Sequence, residues 1–219
     1  GPVGAGRCRD AGGVPRARAG AREGLARPGA GHARAQLSAW LDEDDPRLVA
    51  AAVTAVEPIE ETGRLVAFTS DPDASVRRAA ALRLGAAIES VDAIQALSQL
   101  ARVDPEPSVR QAAVSALGGF GAAATGPLRE RMGDAEAQVR LAVVRALVRA
   151  DRDSALPLIA PLLAAPPSRA GIEAARTIAL TGGASAGAPM PQDVQDARAY
   201  LAGALGNEDA SLRSQAAVA

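Results

Sequence analysis

The 219-residue sequence holds 24 basic residues, all of them Arg, against 25 acidic ones, for a formal net charge of −1. That balance gives the whole chain no field to attract nucleic acid, and a single cysteine, Cys8, excludes an intramolecular disulfide. Aromatics are only 2% of a composition that is 48% hydrophobic, so any core must be built from Ala, Leu, Val and Ile in closely packed helices.

Residues 1–35 are dense in Gly, Ala, Arg and Pro. Seven Arg (7, 9, 16, 18, 22, 27 and 34) stand against Asp10 and Glu23, a net +5, and no apolar periodicity is present. Such a stretch buries too little to offset its ordering entropy, which predicts a disordered basic leader. A basic arm of this kind can touch nucleic acid or an acidic partner; a flexible leader without a task has the same composition. From Gln36 onward 17 Arg face 23 acids, a net −6, the wrong sign for a phosphate-binding groove. No run approaches a membrane span of about 20 apolar residues, and the N-terminus lacks a signal peptide's apolar stretch, so a cytoplasmic location is expected. The chain begins at Gly1 and ends inside a repeat, as a fragment or processed chain would.

Residues 36–219 are repetitive. Asp71-Pro-Asp-Ala-Ser-Val-Arg-Arg-Ala-Ala-Ala-Leu-Arg-Leu-Gly85 returns as Asp104-Pro-Glu-Pro-Ser-Val-Arg-Gln-Ala-Ala-Val-Ser-Ala-Leu-Gly118, and again from Asp134 to Leu147. Asn207–Arg213 restarts it, and weaker copies run from Leu48 to Val56 and from Ala170 to Ile178. With anchors at Leu48, Val76, Val109, Val139, Ala170 and Leu212, the first four spacings are 28, 33, 30 and 31 residues, room for two helices of three turns and two short turns, and the last is 42. Val109, Ala112, Ala113, Ala116 and Leu117 fall at helical spacing, as do Val139, Ala142, Val143, Ala146 and Leu147. Pro72 and Pro105 are expected in first helical turns beside a capping Asp, and Gly85 and Gly118 at left-handed helix ends. Partner helices are predicted near 36–41 and over 59–69, 91–102, 122–132, 154–165 and 193–205. The insertion Thr181–Pro191 reads as an exposed loop. One helix pair cannot bury its own stripe, so the pairs must stack.

The string D-P-x-x-S-V-R-x-A-A-x-x-A-L-G followed by a second apolar helix resembles HEAT repeats, in the short form found in phycobilisome lyases. The resemblance covers residues 36–219 and is strongest at 71–150. It implies an all-α, right-handed α-solenoid of about six antiparallel two-helix repeats, the last truncated. It also implies a stacked polar ladder joining successive repeats, in which Asp71, Asp104 and Asp134 pair with Arg77, Arg110 and Arg140. Glu173 interrupts the apolar stripe of the Ala170 copy.

No catalytic constellation is legible. The sole His, His32, and the sole Cys, Cys8, both precede the repeats, so no cofactor, metal or catalytic residue is assigned and an enzyme is not expected. Gly118–Gly121 and Gly182-Gly183 match no phosphate loop, and Asp42–Asp45 reads as a solvated charge run at a helix junction. The expected function is a protein-interaction scaffold. The alternatives are a nucleic-acid binder using the leader and an accessory subunit or domain of an enzyme. In HEAT-like solenoids the motif helix lines the concave face, which places Arg78, Leu82, Gln111, Ser115, Leu141, Arg145, Ile172 and Arg176 on it as candidate partner-binding residues.

Overall fold

The structure is a computed structural model that describes residues 30–58, 60–182 and 190–218. Its helices form six pairs in chain order. The pairs are α1 (Ala30–Leu41) with α2 (Pro46–Val53), α3 (Thr62–Ala67) with α4 (Ala74–Leu84), and α5 (Val91–Val103) with α6 (Pro107–Leu117). They continue as α7 (Thr125–Glu130) with α8 (Ala137–Ala150), α9 (Arg152–Ala164) with α10 (Arg169–Thr181), and α11 (Gln192–Leu205) with α12 (Ala210–Ala217). No strand occurs among the described residues. The second helix of each pair carries the repeated motif.

Most of the leader expected over 1–35 lies outside the described residues, but α1 starts at Ala30, so the expected boundary falls within this helix. Most of the expected loop at 181–191 is likewise outside them. Two partner helices are shorter than expected. A 3-10 turn (Phe68–Ser70) completes α3, and another (Gly121–Ala124) precedes α7. In the latter, Gly121 has φ +62°, and Pro127 brings no N–H to the first turn of α7.

The motif helices begin later than the sequence implies. Asp73 caps α4 by accepting from the Ser75 N–H, and Glu106 occupies the cap position of α6 with Pro107 in the first turn. Pro72 and Pro105 precede the caps. Asp71, Asp104 and Asp134 close Asx turns instead, each accepting the N–H two residues on at 2.8–2.9 Å. Asn207 does the same for Asp209.

One fully buried Leu or Ile stands in each helix from α3 to α10: Leu65, Leu84, Leu97, Leu117, Leu128, Leu147, Ile159 and Ile178. Ala fills the positions between them, which lets helices approach closely. Gly85 and Gly118 record how closely. Both have ordinary right-handed φ values, −59° and −58°, and so are not left-handed stops. A Cβ on Gly118 would lie 2.9 Å from the Cα of Ala146, and one on Gly85 3.0 Å from the Cβ of Ala116. These glycines exist so that one motif helix can end against the next. The motif helices α2, α4, α6, α8, α10 and α12 touch in unbroken succession, whereas neighbours in the other layer meet sparingly. The motif helices are therefore the closer-packed layer, here termed the inner layer.

Candidate interaction face

The inner layer is chemically lopsided. Its six helices hold eleven Arg (47, 77, 78, 83, 110, 140, 145, 149, 169, 176 and 213) and one acid, Glu173. The rest of residues 36–219 holds six Arg and 22 acids. Four of the eleven share one structural task. Nη1 of Arg77 donates to the carbonyls of Asp71 and Pro72, and Arg110, Arg140 and Arg213 repeat the bond to the residues six and five before them. Each thereby ties the motif helix to the turn that leads into it.

The same guanidinium reaches forward. Arg77 donates Nε to Oδ2 and Nη2 to Oδ1 of Asp104, at 2.7 and 3.1 Å, and Arg110 grips Asp134 at 3.0 Å by both bonds. The ladder therefore joins Arg of one repeat to the carboxylate of the next, while the Asp of its own repeat contributes its carbonyl. Both acceptor carboxylates are buried. Burial works to raise the Asp134 pKa, but the bonds from Arg110 and the Glu136 N–H outweigh it and hold the carboxyl below its ordinary range. The bond to Asp104 lifts Arg77 above its already high value. The ladder stops at Arg140, because Pro166 stands where the next Asp would be.

Of the candidate face residues, Arg78, Arg145 and Arg176 are exposed, Leu82 is 52% exposed, and Gln111, Ser115 and Leu141 are half-buried. Ile172 is not on the face; it is 3% exposed and in the core. The cause is register. In α10 the buried residues at stripe spacing are Gly171, Ala174, Ala175 and Ile178, with Ile172 buried beside them, so the anchor is Gly171, not Ala170. In α2 the set is Val49, Ala52 and Val53, one residue later than Leu48. Ile172 then occupies the ladder position held elsewhere by Arg77, Arg110 and Arg140, and Glu173 lies off the stripe. Gly171 fits the anchor because a Cβ there would lie 2.0 Å from the Tyr200 hydroxyl.

Between α8 and α10 the inner face opens into a cleft of about 420 Å³ lined by Arg145, Arg149, Glu173, Arg176, Thr177, Leu180 and Thr181. Arg145 Nε donates to Glu173. Arg149 reaches the Ser115 carbonyl at 3.4 Å, and Arg176 makes no ion pair or side-chain hydrogen bond with the described residues. Thr177 and Thr181 spend their hydroxyls on backbone carbonyls of their own helix. Leu180 is 70% exposed. Arg149 and Leu180 escape the sequence reading, although a signal exists. Val148 and Leu180 stand where Gly85 and Gly118 end the earlier motif helices, so α8 and α10 run on and carry these side chains into the cleft. Among the described residues no group of three His, Cys, Asp or Glu could hold a metal, and no helix is long and apolar enough to cross a membrane.

Six stacked antiparallel helix pairs with a continuous core and an inter-repeat ladder define an α-solenoid. Residues 61–137 match the family model for HEAT repeats, so the chain carries HEAT repeats over that stretch. Comparison with the curated proteins gives no match. Among solved structures, YibA of E. coli superposes with a TM-score of 0.59 at 16% identity, over 95% of this chain and 75% of that one. An engineered protein gives 0.50 at 21% identity over 83% and 92% of the two chains. A chain of the complex of CpcE and CpcF of phycocyanin lyase from Nostoc sp. PCC7120 gives 0.51 at 17% identity, over 100% of this chain and 99% of that one. At these identities the likeness is one of fold.

Proposed function

We propose that this chain is a non-catalytic scaffold that binds a protein partner on its inner face, through Arg78, Leu82, Gln111, Ser115, Leu141, Arg145 and Arg176. The observation that carries the reading is that exposed Leu82 and Leu180 stand beside the guanidinium groups of Arg78 and Arg176, which have no ion pair among the described residues. Apolar side chains beside Arg are the composition of interface cores. Apart from His32, which the structure places in α1 and not ahead of the repeats, the helix pairs contain no His and no Cys, which supports a binding task over nucleophilic or metal chemistry. A cytoplasmic setting accords with this reading.

The fold shared over the whole chain with one chain of a two-protein lyase complex favours a second reading, an accessory subunit acting within an assembly. Both readings require a partner. Affinity capture from the native host should enrich specific proteins with the wild-type chain and lose them with Arg78→Glu combined with Arg145→Glu, at unchanged helicity. Unchanged capture by that variant would sink the face assignment.

A further inference from the structure

We propose that the cleft between α8 and α10 takes an acidic peptide segment, whose carboxylates bond Arg149 and Arg176 and whose apolar side chains lie on Leu180. This rests on the reading of the inner face as a partner-binding surface and names the chemistry of the partner.

Charge segregation is the first argument. An all-Arg basic complement would scatter over both layers if composition alone placed it. Instead the inner helices carry eleven Arg to one acid, within residues 36–219 whose net charge is −6. A local positive field on a negative body selects and orients an acidic ligand and repels basic ones.

The cleft's own bonding is the second. Glu173 already lays a carboxylate on Arg145, and the Glu173 side chain is only 13% exposed, so the cleft accommodates this pairing within its wall. With that pair satisfied, two further cations remain in the lining. Arg176 is without a partner among the described residues, and the 3.4 Å contact of Arg149 leaves most of its donors available. Arg forks suit planar carboxylates, which they can bind by two parallel bonds. The exposed Leu180 adds an apolar seat beside them.

A peptide fits better than a nucleic acid. The lining holds no aromatic side chain on which a base could stack, and three Arg on one seam neutralise too few phosphates for useful affinity.

The test is fluorescence anisotropy with the full chain and a labelled short peptide of alternating Glu and Leu. A Gln-and-Leu peptide of equal length and a short oligothymidine serve as competing probes. The acidic peptide should bind, the Gln peptide should not, and Arg149→Glu with Arg176→Glu should weaken binding by about tenfold or more. Arg102→Glu with Arg129→Glu, an equal charge change on the outer layer, should leave affinity within about twofold. The leader's arginines are common to all variants, so the difference isolates the cleft. Arg149→Gln with Arg176→Gln gives the same reading should the reversed charges disturb folding. No peptide binding, equal losses in the two reversal variants, or tighter cleft-dependent binding of the oligonucleotide would each overturn the proposal. Loss of lysate capture by the Arg78 and Arg145 variant without peptide binding keeps the scaffold and rejects the acidic partner. Retained capture with cleft-dependent peptide binding does the reverse.

Discussion

Arg77 in one repeat clasps the carboxylate of Asp104 in the next by two bonds, at 2.7 and 3.1 Å, while its third arm holds the carbonyls that open its own repeat. One side chain therefore fixes both the turn within a repeat and the spacing to its neighbour. The Asp104 side chain is 2% exposed and that of Arg77 12%, so neither charge has bulk water to fall back on.

Asp104→Ala should accordingly be costly. It strands Arg77 and removes the acceptor of the Glu106 N–H, with an expected loss of about 3 kcal/mol in urea denaturation. Asp71→Ala loses the turn bond to the Asp73 N–H and should cost about 1 kcal/mol. Equal losses would show that the forward clasp adds nothing.

The ladder also predicts an acid limb. Asp134 has a folded-state pKa below its ordinary 3.8, so the unfolded chain takes up its proton first as pH falls. Its contribution is complete above the unfolded value and disappears as pH drops through the folded one. Thermal melts should be indifferent to this group from about pH 5 to 8 and decline below about pH 4. In Asp134→Asn the decline should be shallower; an unchanged acid limb would remove Asp134 from the account.

Two glycines should respond in opposite senses. Gly118→Ala places a methyl group 2.9 Å from the backbone of Ala146 and should destabilise by about 1–3 kcal/mol, although its φ suits any residue. Gly203 sits in α11, and beyond its chain neighbours and its own helix backbone no described atom lies within 4 Å of its would-be Cβ. Gly203→Ala should stabilise by about 0.5–1 kcal/mol through helix propensity. Chemical denaturation of the two variants side by side separates steric from backbone effects.

Tyr200 bridges the start of α10. Its hydroxyl accepts the Ser168 N–H at 3.0 Å and donates to the Pro166 carbonyl at 3.1 Å, beneath the space that Gly171 leaves open. Tyr200→Phe keeps the ring and removes both bonds, and should lower stability by about 1–2 kcal/mol. Hydrogen exchange should accelerate at the N-terminus of α10 and not at α4.

The sequence by itself determined the helical repeat. Val109, Ala112, Ala113, Ala116 and Leu117 are buried as their spacing requires, because the i, i+3, i+4 stripe is a property of one helix and needs no knowledge of its neighbours. The excess of Arg over acid on the motif helices was also there to be read once helix bounds were known. Tertiary structure alone decided the rest. Gly85 and Gly118 looked like helix stops but answer to Ala116 and Ala146 across a seam. Ile172 looked exposed until packing against Tyr200 set Gly171 as the anchor. Asp104 found its Arg 27 residues back, in another repeat. Each of these depends on how closely two helices approach, and that distance is fixed by side chains distant in sequence, which a local period does not encode.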